Sequence, residues 1–138
     1  MRKSTAKTLS AALLAGTALI GISSTAYADG TPACNDAAST NSTECGTNAA
    51  ATADGATAVG TGAVASGTDA VAIGGDNAGA NPATASGPST VAVGGESDAT
   101  TPGATAIGWQ SAATGAMGTA LGHQTTASGD QSVAVGED

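Results

Sequence analysis

Phenylalanine is absent from this chain of 138 residues, and one tryptophan and one tyrosine are its only aromatic side chains. Basic residues number three, Arg2, Lys3 and Lys7, all at the extreme N-terminus. Each shortage excludes something. Without aromatic or large aliphatic bulk no ordinary core can be packed, and small chains so poor in apolar volume rarely fold alone. Beyond Lys7 no cation is left to meet a phosphate backbone, while eleven Asp and Glu remain to repel it and anionic lipid heads alike. Nucleic acid and bare membrane are therefore poor partners. With one His and no downstream Lys or Arg, no nucleophile and base pair up by spacing, and no glycine-rich loop opens a helix to cradle a phosphate. The reading is non-enzymatic, with no cofactor. Two thiols and a distant His123 do not make a zinc site, and the GGDNAG stretch is not a calcium-binding nonapeptide, so no metal is expected.

What is present begins with an export signal. Arg2, Lys3 and Lys7 precede a weakly apolar run from Leu9 to Ile22, and Ala26-Tyr27-Ala28 fits the small-x-small cleavage rule. Residues 1–28 read as a signal peptide, leaving Asp29 at the new N-terminus; an uncleaved anchor is the alternative, although the run is too short and interrupted for a membrane span. Cleavage leaves 110 residues and takes the formal charge from −8 to −11 by removing all three cations. This acidity serves solubility. Export leads to an oxidising compartment, so a Cys34–Cys45 disulfide is expected, contributing roughly 2–3 kcal/mol if unstrained.

The rest of the chain is repetitive. Glycines 60, 74, 94, 108, 122 and 136 each end a similar pentapeptide: ATAVG, AVAIG, TVAVG, ATAIG, GTALG and SVAVG. Their spacing is 14, 20, 14, 14 and 14 residues, the long step carrying six extra residues around Asp76–Pro82. A second element, of the ASG kind, lies seven residues out of phase. Together they place eleven alanines in one register, from Ala58 to Ala134, with glycine two residues later in every case but Thr101. There Pro102-Gly103 follows and suits a tight turn. Between alanine and glycine, Val59, Ile73, Val93, Ile107, Leu121 and Val135 alternate strictly with Ser66, Ser86, Thr100, Thr114 and Ser128. The unit is thus fourteen residues. Glycine at this frequency would cost a helix about 0.8–1 kcal/mol per residue, which excludes a coiled coil, and collagen needs glycine at every third position.

Short β-branched segments ending in glycine predict strand and turn, two of each per coil, and coils stacked into an all-β parallel solenoid. Side chains alternate across a strand. Alanine and the small residue two before it then share the inner face, where only such residues fit, and the Val/Ile/Leu column points outward. An exposed apolar stripe marks an interface. Burying each member would stabilise by roughly 1.5–3 kcal/mol, more than alanine supplies, so folding and homo-oligomerisation are expected together through Val59, Ile73, Val93, Ile107, Leu121 and Val135. The inverse arrangement, aliphatics inside a monomer, is the alternative. Residues 29–55 lack the repeat apart from Ala51-Thr52 and read as an N-terminal cap, or as disordered; 56–138 form the repeat domain.

The interleaved SVAVG, AVAIG and TVAVG pentapeptides and ASG elements resemble the YadA-like head repeats (Hep/Hag repeats) of trimeric autotransporter adhesins. The resemblance covers about residues 56–138. It implies a left-handed parallel β-roll, a trimer with the aliphatic stripes meeting near the three-fold axis, and a surface head that binds extracellular matrix, cells or abiotic surfaces. The sequence departs from the family in showing no neck, no stalk and no membrane-anchor strands, which puts autotransport and anchoring in doubt and fits either a truncated product or a free-standing secreted head.

Trp109 and His123 follow the strand glycine by one position in successive coils, with Glu137 next, so stacking brings them side by side. Trp is prominent among binding hot spots, and Trp109 with His123 is the candidate ligand contact; simple packing at a corner or subunit seam is the alternative. Two further functional classes stay open. The column Ser66, Ser86, Thr100, Thr114 and Ser128 is a hydroxyl ladder of the kind that orders water, pointing to an ice-binding or surface-coating solenoid. A structural spacer from a longer adhesin is the other.

Overall fold

The computed structural model describes Cys34, residues 41–76 and residues 81–137, all within the compact unit Pro32–Asp138. The proposed signal peptide lies outside the described residues.

The predicted coils are there. Seven three-residue strands form one parallel sheet: β1 (Thr43–Cys45), β3 (Thr57–Val59), β5 (Val71–Ile73), β7 (Val91–Val93), β9 (Thr105–Ile107), β11 (Thr119–Leu121) and β13 (Val133–Val135), in that spatial order. Six two-residue strands form the second: β2 (Ala50–Ala51), β4 (Val64–Ala65), β6 (Thr84–Ala85), β8 (Asp98–Ala99), β10 (Ala112–Ala113) and β12 (Thr126–Ala127). The chain alternates between the sheets, so each coil is one strand of each kind, and the molecule is a β-solenoid with no helix among the described residues. Register is set by the repeat: Ala106 pairs Ala120, and Ile107 pairs Leu121.

Alanine fills the interior. Ala58, Ala65, Ala72, Ala85, Ala92, Ala99, Ala106, Ala113 and Ala120 are fully buried. The second inner column is Ala56, Ala63, Ala70, Ala83 and Ala104, interrupted by Thr90, Ser97 and Ser111, which are buried too. A buried hydroxyl costs free energy unless it is bonded. Each of these donates to the carbonyl of the turn glycine three residues earlier: Thr90 to Gly87 at 2.7 Å, Ser97 to Gly94 at 2.8 Å and Ser111 to Gly108 at 3.0 Å. Serine and threonine are thus admitted to the core because the turn offers them an acceptor.

Glycine at the end of each long strand answers two constraints. Gly108 has φ +130°, and a Cβ there would sit 2.2 Å from the carbonyl oxygen of Gly122 in the next coil. Coils separated by one strand spacing leave no room for it. The turn that follows closes with a bond from the Ser111 amide to the Gly108 carbonyl, and its third residue, Gln110, takes a left-handed φ of 55°. In the other series of turns Thr101 stands where glycine is usual. Its turn still closes, Ala104 amide to Thr101 carbonyl, with Gly103 at φ +68° in the third position as Pro-Gly chemistry requires. The Thr101 hydroxyl donates to the Gly115 carbonyl of the next coil at 2.7 Å, replacing close glycine packing with a hydrogen bond.

The solenoid starts before residue 56. β1 and β2 pair with β3 and β4 in the common register, so the non-repetitive stretch expected as a cap contains a full coil from Thr43. The alanine pattern hides it because Glu44 occupies the position paired with Ala58. Glu44 is only half-buried, since among the described residues no strand pairs with β1 on that side. Gly46 and Cys45, each fourteen residues before Gly60 and Val59, were the readable signal. Cys45 is disulfide-bonded to Cys34, Cα to Cα 4.2 Å. The six-residue insertion leaves the coil after Gly74, and Ala83 returns to bond the Gly74 carbonyl, so the turn is lengthened without loss of register.

Candidate binding site

Three surface features are built on this scaffold. The first is apolar. The outer face of the seven-stranded sheet carries the aliphatic column in the predicted orientation: Ile73, Ile107 and Leu121 are 40%, 37% and 43% exposed, Val135 is 69% exposed, and Val59 and Val93 are half-buried. A parallel column of Thr57, Val71, Val91, Thr105, Thr119 and Val133 runs beside it at the other outward position of the same strands. The inverse arrangement, with aliphatics inside, is not the one adopted, because the space between the sheets is already filled by alanine. Cys45 stands in the same column as Val59, so the disulfide closes one end of the stripe.

The second is the corner following the long strands. Stacked turns hold residues 61, 75, 95, 109, 123 and 137 in one column, with bonds such as Gln124 amide to Trp109 carbonyl at 2.9 Å and Gln110 amide to Gly95 carbonyl at 3.1 Å. Trp109 and His123 are stacked, ring centroids 4.8 Å apart and planes inclined by 29°. That separation is the strand spacing itself. His123 Nδ1 is covered from solvent and lies 3.5 Å from the Glu137 carboxylate. The indole remains 45% exposed. On the side away from His123 the column continues with Gly95 and Gly75, which have no side chains to cover it. One position further, a polar ladder runs in parallel: Gln110 Nε2 donates to Glu96 Oε2 at 2.6 Å, and Gln124 Nε2 donates to Gln110 Oε1 at 2.8 Å.

The third was not legible from the repeat. Where the insertion rejoins the coil, a cleft of about 330 Å³ is lined by Asn81, Pro82, Thr84, Glu96, Asp98, Gln110 and Ala112. The Asn81 amide donates to Asp76 Oδ2 at 3.0 Å and pins the foot of the insertion. Partial burial pushes the Asp98 carboxyl above its ordinary range, and a hydrogen bond from the Thr84 side chain opposes this. Spacing could not reveal a cleft made by residues of three coils and the foot of a loop. The only sequence hint was the insertion itself. Among the described residues no group of three or more His, Cys, Asp or Glu gathers where a metal could be held. The hydroxyl ladder Ser66, Ser86, Thr100, Thr114 and Ser128 is exposed throughout, on the outer face of the shorter sheet.

The family described as the YadA head domain repeat matches residues 46–63, 51–77, 85–111 and 113–136, more than half of the chain. The chain belongs to this family. The YadA head match begins at Gly46, inside the first coil, in agreement with the start of the solenoid at Thr43. Its segments leave out residues 78–84, which include most of the insertion. No curated protein and no solved structure matches the chain. YadA-family adhesins are surface-exposed and their heads generally form trimers.

Proposed function

We propose that the chain is a non-enzymatic adhesin head, exported by the signal peptide at residues 1–28, that trimerises through its aliphatic face and attaches to extracellular matrix, cells or surfaces. The observation that carries the reading is the outward column Val59, Ile73, Val93, Ile107, Leu121 and Val135 on a solenoid whose core is alanine. A soluble chain gains most by covering such a face with copies of itself, because a closed ring of identical stripes leaves none exposed. Left-handed coiling and three-fold symmetry come from the family. Trp109 and His123 form the ligand contact at the corner that follows the long strands. The Cys34–Cys45 disulfide ties the first coil at the end of the sheets, where unpaired strand edges invite aggregation.

The test is the solution mass of the full chain by light scattering, with retention on matrix-coated and cell-coated surfaces. Three chain masses and retention that Trp109→Ala abolishes are expected. A folded monomer removes the trimer, and retention unchanged in Trp109→Ala removes the corner.

A second reading has one observation in its favour, the exposed hydroxyl column on the shorter sheet, which suits ordering of surface water. The insertion and the charge of Asp98 beside Thr100 interrupt it. Thermal hysteresis in cold solution would support it; ordinary freezing behaviour would remove it.

A further inference from the structure

We propose that the cleft at the foot of the insertion binds a neutral sugar unit of a glycan, with the Trp109 indole as the adjoining stacking surface. The inference rests on the reading of the chain as a binding head and names the class of ligand.

The cleft is concave and of ligand-site size, at about 330 Å³. Five of its residues present polar side chains of complementary kinds: the carboxamides of Asn81 and Gln110, the carboxylates of Glu96 and Asp98, and the Thr84 hydroxyl. Carboxamides both donate and accept, ionised carboxylates accept only, and a hydroxyl does either. Such a set satisfies vicinal hydroxyl groups, each of which donates and accepts at once. Several of these groups are already held in place. Gln110 is fixed between Glu96 and Gln124, and the Thr84 hydroxyl donates to the Pro82 carbonyl at 3.2 Å. Held groups lose little entropy when a ligand arrives.

Trp109 precedes Gln110 by one residue, and Gly95 precedes Glu96 in the coil below. A Cβ placed on Gly95 would lie 3.5 Å from Trp109 Cδ1, ordinary contact distance. The glycines at 95 and 75 therefore leave the indole face on that side without a covering side chain, one residue along the chain from Gln110 of the cleft. An aromatic plane next to carboxamides and carboxylates suits a pyranose ring, which has an apolar C–H face and a polar edge.

Other ligand classes fit less well. Anions meet two carboxylates and no Lys or Arg among the described residues. A metal ion finds only Glu96 and Asp98 in the cleft, one of them already bonded to an amide. An apolar ligand finds only Pro82 and Ala112.

Trp109 is the sole tryptophan, so fluorescence excited selectively at tryptophan reports on this corner alone. The full chain is titrated with glucose-, galactose-, mannose- and N-acetylglucosamine-terminated oligosaccharides, with sialyllactose, and with calcium chloride. A saturable change with at least one neutral sugar, insensitive to a chelator, is expected. Asn81→Ala and Asp98→Ala, checked for folding by circular dichroism, should each weaken binding about tenfold or more. Trp109→Phe should retain most of the affinity by calorimetry, and Trp109→Ala should lose it. No saturable response to any neutral sugar, a response that requires calcium, or affinity unchanged in both cleft variants overturns the proposal. Failure here with wild-type trimers still retained on matrix sinks the sugar site alone. Loss of trimer mass and retention together sinks the adhesin-head reading.

Discussion

At the scale of single residues, steric contact decides most of what can be changed. Gly108→Ala combines a positive φ with a Cβ 2.2 Å from a backbone oxygen that has no freedom to move. The coils must separate locally, and we expect a loss of at least about 2 kcal/mol in chemical denaturation, at the upper end of ordinary point substitutions. Serine at the same site should be no better, since the obstacle is any Cβ. Asp98 makes the opposite kind of prediction. Its carboxyl is raised from the ordinary 3.8 by burial. A raised carboxyl binds its proton more tightly folded than unfolded, so its contribution is fully present below the unfolded value and is lost as pH rises through the folded one. Asp98→Asn should therefore melt higher than the wild type at pH 7, and the gap should close in melts taken below pH 3.8. Because the side chain is largely open to solvent, the effect is small.

The strands themselves are too short to be stable alone. Three-residue and two-residue segments survive here because each pairs with a neighbour in the next coil and covers a wall of alanine. The face they present outward is then free to specify assembly. Ile107→Asp with Leu121→Asp places charges at two neighbouring outward positions without touching the alanine core. Light scattering should show the proposed trimer reduced to monomers, with β-structure lost in parallel if assembly supplies the stability. A monomer that keeps its full circular dichroism would mean that the alanine core suffices. The first coil has its own restraint. Reduction of Cys34–Cys45, or a double serine variant, should cost roughly 2–3 kcal/mol on loop-entropy grounds, with amide exchange accelerated first in β1 and β2.

For the molecule as a whole, charge is the unbalanced quantity. The described coils carry no Lys or Arg, and the formal charge of the full chain is −8. With no Lys or Arg in the described coils to offset the carboxylates, self-repulsion opposes the compact state. Salt screens exposed charges over about 10 Å at 0.1 M and over about 3 Å at 1 M. The melting temperature should accordingly rise with sodium chloride between these concentrations, the reverse of a protein held by surface ion pairs. A fall would show that ionic contacts at a subunit interface outweigh the repulsion.

The sequence by itself determined the coil. Eleven alanines in register, the glycine column and the strict alternation of aliphatic with hydroxyl residues state where each turn falls and that the unit is fourteen residues, because a narrow solenoid restricts the size permitted at each position. That alanine and not the aliphatic column faces inward was settled by the structure. The sequence also placed Trp109 over His123, since one register governs every column. The tertiary structure alone decided the rest. It showed that Glu44 occupies an alanine position in the first described coil, where no described strand stacks below and the size rule lapses. It showed that inward Thr90, Ser97 and Ser111 are satisfied by turn carbonyls. It assembled the cleft of Asn81, Thr84, Glu96, Asp98 and Gln110 from separate coils and the foot of the insertion. A repeat fixes what recurs; a site made where the repeat is broken depends on the path of the chain through space.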